Sequence, residues 1–92
     1  MSETCRARLE IVNRLGLHAR AAVLLVQAAT RFGAQVTVTK DDQSVDGRSI
    51  MGVMMLAAEQ GSYIDVETSG PDARAALDAI TALVANRFNE AD

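Results

Sequence analysis

Apolar and polar residues alternate over residues 5–12, with Ala7, Leu9 and Ile11 on one face and Arg6, Arg8 and Glu10 on the other. A period of two predicts a half-buried strand. From residue 18 to 32 the period changes to that of a helix. Ala22, Leu25, Val26, Ala29 and Phe32 fall on one side, and Gly33 supplies a left-handed stop. Residues 35–40 are β-branched and alternating, with Val36 and Val38 inward, and a polar turn at 41–43 returns the chain as a short strand at 44–46. Residues 49–58 predict a short helix with Ser49 as its N-cap. A further alternating strand at 63–68 places Ile64 and Val66 inward. Pro71 suits the first position of a last helix, 71–87, whose core face is Ala73, Ala76, Leu77, Ile80, Leu83 and Val84.

The order β-α-β-β-α-β-α, with half-polar strands, excludes a doubly wound parallel sheet, whose strands are buried on both faces and read as continuous apolar runs. It predicts an α+β, two-layer sandwich: a four-stranded antiparallel sheet with one wet face and one face covered by three helices. Turn signals punctuate the chain, but no linker or repeat interrupts it, so residues 1–92 are expected to form a single domain.

Composition narrows the function. Apolar residues make up 49% of the chain, enough for a core without a disulfide or structural metal, and one cysteine with one histidine cannot build a zinc site. Cys5, on an alternating strand, is expected to be a buried structural thiol. A net charge of −3 and three aromatic residues exclude a general nucleic-acid binder, which needs a basic surface and stacking platforms. No apolar run reaches the ~18 residues of a membrane span, and the N-terminus lacks a signal-peptide pattern, so a cytoplasmic protein without membrane insertion is expected. The charge is uneven. Residues 1–46 carry six bases and five acids, residues 47–92 three bases and seven acids, and eight of the nine bases are arginine.

Any histidine chemistry must pass through His18. It stands where the Gly16 loop leads into a helix, as N-cap or first residue. Helix starts present free N–H groups and the positive end of the dipole, which favours bound anions and disfavours an imidazolium. A neutral imidazole there is a nucleophile, and Arg20 adds a guanidinium two residues on. A hydrolase triad is not indicated, because the motif holds no Ser or Cys nucleophile and no carboxylate to orient the ring.

The motif Gly16-Leu-His-Ala-Arg-Ala-Ala22 resembles the active-site signature of the HPr family, the histidine-containing phosphocarriers of the bacterial phosphotransferase system. A second block, Gly47-Arg-Ser-Ile-Met-Gly-Val-Met-Met-Leu-Ala57, resembles the family's regulatory-serine and second-helix segment. The stretches IVNRLGLHAR and SGPDARAALDAITALV also look like the nitrogen-related branch. The resemblance implies a carrier that is not an autonomous enzyme and needs no metal or cofactor. His18 would take a phosphoryl group on Nδ1 from phosphorylated enzyme I and pass it to an enzyme IIA, for sugar uptake or metabolic regulation. Arg20 and the Ala19 backbone N–H would stabilise the phosphate. Ser49 would be the target of HPr kinase/phosphorylase, although capping alone explains a serine there. The alternative is a purely regulatory protein-binding module without a transport role.

Two positions depart from the family pattern: Ala21 stands where proline is usual, and Leu15 where many relatives have a small polar cap. The second helix is apolar in nearly every direction. Val53 and Leu56, with Ile50 or Ala57, suffice for a core, which leaves Met51 and Met54 at least partly exposed. Flexible methionines suit a surface that accepts several partners. Leu17, Arg20, Arg48, Ile50, Met51 and Met54 are therefore the expected partner-binding residues of a monomeric protein.

Overall fold

The computed structural model describes residues 3–91, so the first two residues and the last of the expected 1–92 domain lie outside the described residues. Strand β1 (Glu3–Glu10) is followed by helix α1 (Ala19–Thr30), strands β2 (Gln35–Lys40) and β3 (Gln43–Asp46), helix α2 (Ile50–Met55), strand β4 (Tyr63–Gly70) and helix α3 (Ala73–Ala85). A short turn of helix follows at Arg87–Asn89.

The four strands form one antiparallel sheet in the order β1-β4-β2-β3. Its register explains the alternation in the sequence. Ala7 faces Val66, which faces Val38, which faces Val45, so one apolar row crosses the whole sheet. Leu9 opposite Ile64 and Cys5 opposite Thr68 make parallel rows. The buried Thr68 hydroxyl donates to the Ala73 carbonyl at 2.7 Å, so burying it leaves no orphan group and ties β4 to the start of α3. On the other face, Arg6 pairs with Glu67 at 3.3 Å and Arg8 with Asp65 at 3.6 Å. Arg8 also lies 5.1 Å from the Tyr63 ring centre. These are exposed cross-strand pairs, each contributing a few tenths of a kcal/mol, and they mark the wet face.

The helices close the apolar face. Ala21, Ala22, Leu25 and Ala29 of α1 and Ala73, Ala76 and Ile80 of α3 are fully buried or nearly so. All three helices are shorter than their sequence patterns suggest. Gly33 does not stop α1 with a left-handed residue: it lies outside the positive-φ region, and its N–H donates to Asp72 Oδ2 at 3.0 Å. Phe32, expected in the core, is only half-buried, with the Arg31 guanidinium over its ring. The aromatic core residue is Phe88 instead, 1% exposed, beyond the end of α3. Pro71 precedes the helix rather than opening it, because Asp72 is the N-cap of α3. Helix α2 ends at Met55, and Ala57 adopts φ 50°, so Ala57 points out and Ala58 takes the buried place. Cys5 is buried, as its strand position predicts.

Candidate functional site

The site begins with a turn. Gly16 N–H donates to the Asn13 carbonyl at 3.2 Å, and Leu17 N–H donates to the Ala58 carbonyl at 2.8 Å. Gly16 is at φ 68°, and a Cβ there would come within 2.4 Å of the Ala58 oxygen and 2.9 Å of Glu59 Cα. Only glycine lets the loop lie this close to the segment after α2. This seating turns Leu17 inward, where it is 4% exposed, so the expectation that Leu17 offers a contact to partners is overturned. Leu15, 61% exposed, presents the apolar surface instead.

His18 is the N-cap of α1, in extended conformation (φ −73°, ψ −178°). Its carbonyl accepts the first helical bond, from Ala22 N–H at 2.9 Å. No side chain caps the helix, so the missing cap at Leu15 is replaced by nothing on the side-chain level. The first-turn N–H groups remain available to an anion. Ala19 and Arg20 are exposed at this end, while Ala21 is fully buried and uses its methyl in the core.

One residue of the site was invisible in the motif. Glu90, carried back by the turn after α3, places Oε2 at 2.5 Å from His18 Nε2. Its other oxygen accepts from Asn13 Nδ2 at 3.0 Å. The carboxylate absent from the local motif is thus supplied from 72 residues away. Burial pushes the Glu90 carboxyl up, but the hydrogen bonds from His18 and Asn13 and the charges of His18 and Arg20 outweigh burial and hold it below its ordinary value of 4.5. A carboxylate that accepts from Nε2–H fixes the neutral tautomer in which Nδ1 keeps its lone pair. Arg14, Leu15, His18, Ala19, Arg20, Glu90 and Ala91 line one shallow groove around the ring.

Glu90 reaches this place at a cost. Arg87, Phe88 and Asn89 all have positive φ (57°, 51° and 63°). Left-handed conformation costs an L-residue about 1–2 kcal/mol. Burial of Phe88, worth ~1.5–3 kcal/mol, offsets part of the cost of the three, and Asn86 Nδ2 bonds Asn89 Oδ1 at 2.7 Å across the turn. No pattern in the sequence announces such a turn, since none of its residues is glycine.

A match to the family model described as the PTS HPr component phosphorylation site spans residues 5–86. The chain belongs to the HPr family. It is 54% identical over 82 residues to the phosphocarrier protein HPr of Cupriavidus necator, covering 89% of this chain and 92% of that protein. Against HPr of Neisseria meningitidis it is 49% identical over 84 residues, covering 91% and 94%. Among solved structures it resembles an HPr of Thermoanaerobacter tengcongensis with a TM-score of 0.90 at 40% identity, covering 94% of this chain and 97% of that one. HPr of Bacillus anthracis gives 0.82 at 43% identity, covering 86% and 94%. The open-faced α+β sandwich is therefore the HPr fold, and the protein is a phosphocarrier of the phosphotransferase system. The HPr match contains Asn13, His18, Arg20 and Ser49 but stops short of Phe88 and Glu90.

The remaining expected residues lie along α2. Ser49 caps it: its Oγ accepts from Gly52 N–H at 3.1 Å. Gly52 also suits the close approach of β3, since a Cβ there would stand 3.2 Å from Val45 Cβ. Arg48 is exposed, with its guanidinium 3.7 Å from Asp46 and its N–H bonded to the same carboxylate. Val53 and Leu56 hold the core, whereas Ile50 is 42% exposed and does not. Met51 (71%) and Met54 (39%) are exposed as expected, and so is Met55 (64%). Among the described residues no group of three His, Cys, Asp or Glu side chains gathers as a metal site, and no helix is long and apolar enough to cross a membrane.

Proposed function

We propose that this phosphocarrier holds its phosphoryl group on Nδ1 of His18, receives it from phosphorylated enzyme I, and donates it to enzyme IIA proteins in the cytoplasm. The observation that carries the reading is the hydrogen bond between His18 Nε2 and Glu90, which reserves the other ring nitrogen at an uncapped helix start. In the forward step the Nδ1 lone pair attacks phosphorus, the bond from phosphorus to the donor's histidine breaks, and its electron pair returns to that donor nitrogen. The His18 ring keeps its Nε2–H and becomes cationic, and the Glu90 carboxylate balances that charge. The phosphoryl oxygens face the first-turn N–H groups, Ala19 among them, and the Arg20 guanidinium. No proton needs to move, which suits a largely dissociative transfer governed by position and charge.

Docking falls to Leu15, Arg20, Arg48, Ile50, Met51, Met54 and Met55. Arginines among exposed methionines fit partners with an acidic rim and an apolar centre, and their association weakens with salt. Ser49 is the proposed regulatory site for HPr kinase/phosphorylase. A phosphate there would add about two negative charges within this surface and repel acidic partners.

The test is to mix the protein with enzyme I, Mg²⁺ and phosphoenolpyruvate and look for an acid-labile, base-stable phosphate. Wild type should label and His18→Ala should not. An unlabelled wild type, or equal labelling of the variant, sinks the proposal.

A further inference from the structure

Asn13 lies five residues before His18 and is fully buried, one of two polar side chains among the buried residues. Position alone does not explain it. An asparagine opening a turn ordinarily uses its side-chain oxygen to accept a backbone N–H two residues on. Here the oxygen is the unused atom: Oδ1 is buried without a partner, while both contacts are made by Nδ2, to the Gly16 carbonyl at 2.8 Å and to Glu90 Oε1 at 3.0 Å.

Both of those partners accept only. Flipping the amide would set Oδ1 against a carbonyl and a carboxylate, so the orientation of Asn13 is fixed from two sides. A buried oxygen left unpaired works against stability, and such groups in a folded protein call for a reason. The reason available is what Nδ2 holds. Glu90 has two oxygens, and Asn13 takes one while His18 Nε2 takes the other. Freed of Asn13, the carboxylate can turn about its last side-chain bond, a broad and soft torsion. Held by it, the carboxylate presents one oxygen to the ring.

We propose that Asn13 is a positioning residue that acts on His18 through Glu90. Its amide fixes the carboxylate, the carboxylate fixes the Nε2–H tautomer, and Nδ1 is thereby kept free. Through its second N–H the same amide clamps the Gly16 carbonyl, so the loop leading to His18 and the turn carrying Glu90 are registered by one side chain. The inference rests on the reading of His18 as the phosphoryl acceptor, but its decisive measurement does not involve phosphate.

Because His18 is the only histidine, proton–nitrogen correlation spectra of the imidazole at alkaline pH report its tautomer without ambiguity. Wild type should show the Nε2–H form. Asn13→Ala and Asn13→Asp should both shift the ring toward a mixture of tautomers. The aspartate keeps the side-chain shape and removes the donor, which covers the case that the alanine variant loosens the loop. Pairing Asn13→Asp with Glu90→Gln should move the tautomer back toward wild type, since the new amide can donate to Asp and still accept from Nε2–H. A general packing role of Asn13 would not produce that rescue. Single-turnover transfer from phosphorylated enzyme I should fall about tenfold in Asn13→Ala, the size expected for a lost hydrogen bond to a charged group, and no further in a Glu90→Ala background. An unchanged tautomer in both Asn13 variants, no rescue by the exchanged pair, or multiplicative rate losses would each overturn the proposal. A wild type that shows the Nε2–H tautomer yet accepts no phosphate would instead overturn the phosphocarrier step at His18 and leave the role of Asn13 standing.

Discussion

Glu90 bonds the His18 ring, Asn13 bonds Glu90, and Arg20 lines the same groove. Arg20 is exposed, and its charge reaches Glu90 in the resting protein. In the proposed transfer its contribution is electrostatic rather than structural. Arg20→Ala should slow single-turnover phosphotransfer by roughly 10- to 100-fold, in the range of losing one charged donor, with an unchanged melting temperature. Stopped reactions sampled against time, together with a thermal melt, check both halves. Glu90 offers a pH test. Its folded-state value lies below its ordinary 4.5, so its stabilising contribution is complete above that value and is lost as pH falls through the lower, folded value. Glu90→Gln should remove this acid-limb loss, giving a flatter stability profile below about pH 4.5 in denaturant titrations. A variant that loses stability in acid as wild type does would place the linkage elsewhere.

At the scale of elements, the starts and ends of helices are where pattern and structure part company. Periodicity places α1 and α3 correctly along the chain, because three or more turns of apolar spacing outweigh any single residue, while the two-turn α2 is placed by its Ser49 cap. Their boundaries depend on neighbours. Gly33 is bonded to Asp72 of α3, and α2 stops where Ala57 turns left-handed to bring Ala58 beneath the Gly16 loop. The turn after α3 is the most costly of these devices. Arg87 is exposed and at φ 57°, so glycine fits its backbone better. Arg87→Gly should stabilise the fold by ~0.5–1 kcal/mol, the left-handed strain relieved less the added entropy of the unfolded chain. Thermal denaturation should show a rise of a few degrees for a domain of this size.

Over the whole molecule, the sheet is a platform whose wet face carries exposed ion pairs, and the candidate site lies at one end of the helical layer. The loop before α1, the segment after α2 and the turn after α3 converge there. Helix α2 packs beside α1, buries Val53 and leaves Met51, Met54 and Met55 outside. Met51→Asp should weaken association with enzyme I by ~1–3 kcal/mol, as expected for a docking anchor, while the melting temperature stays within about 2 °C. Titration calorimetry with a thermal melt separates the two. A large fall in melting temperature would show Met51 to be structural.

The fold class, the position of the lone histidine at a helix start, the serine cap of α2 and the exposed methionines of α2 were all legible in the sequence. Each of these is local: it follows from spacing along one strand or helix, from a residue's own chemistry, or from a motif of a few residues. Tertiary packing alone turns Leu17 inward, fills the core with Phe88 rather than Phe32, and brings Glu90 to His18 and Asn13. The bonds involved join residues 72 and 77 positions apart, through a turn whose left-handed residues carry no glycine to announce it. Such contacts are selected by the packing of the folded chain as a whole. Local propensity argues against them, so a reading of pattern alone passes them by.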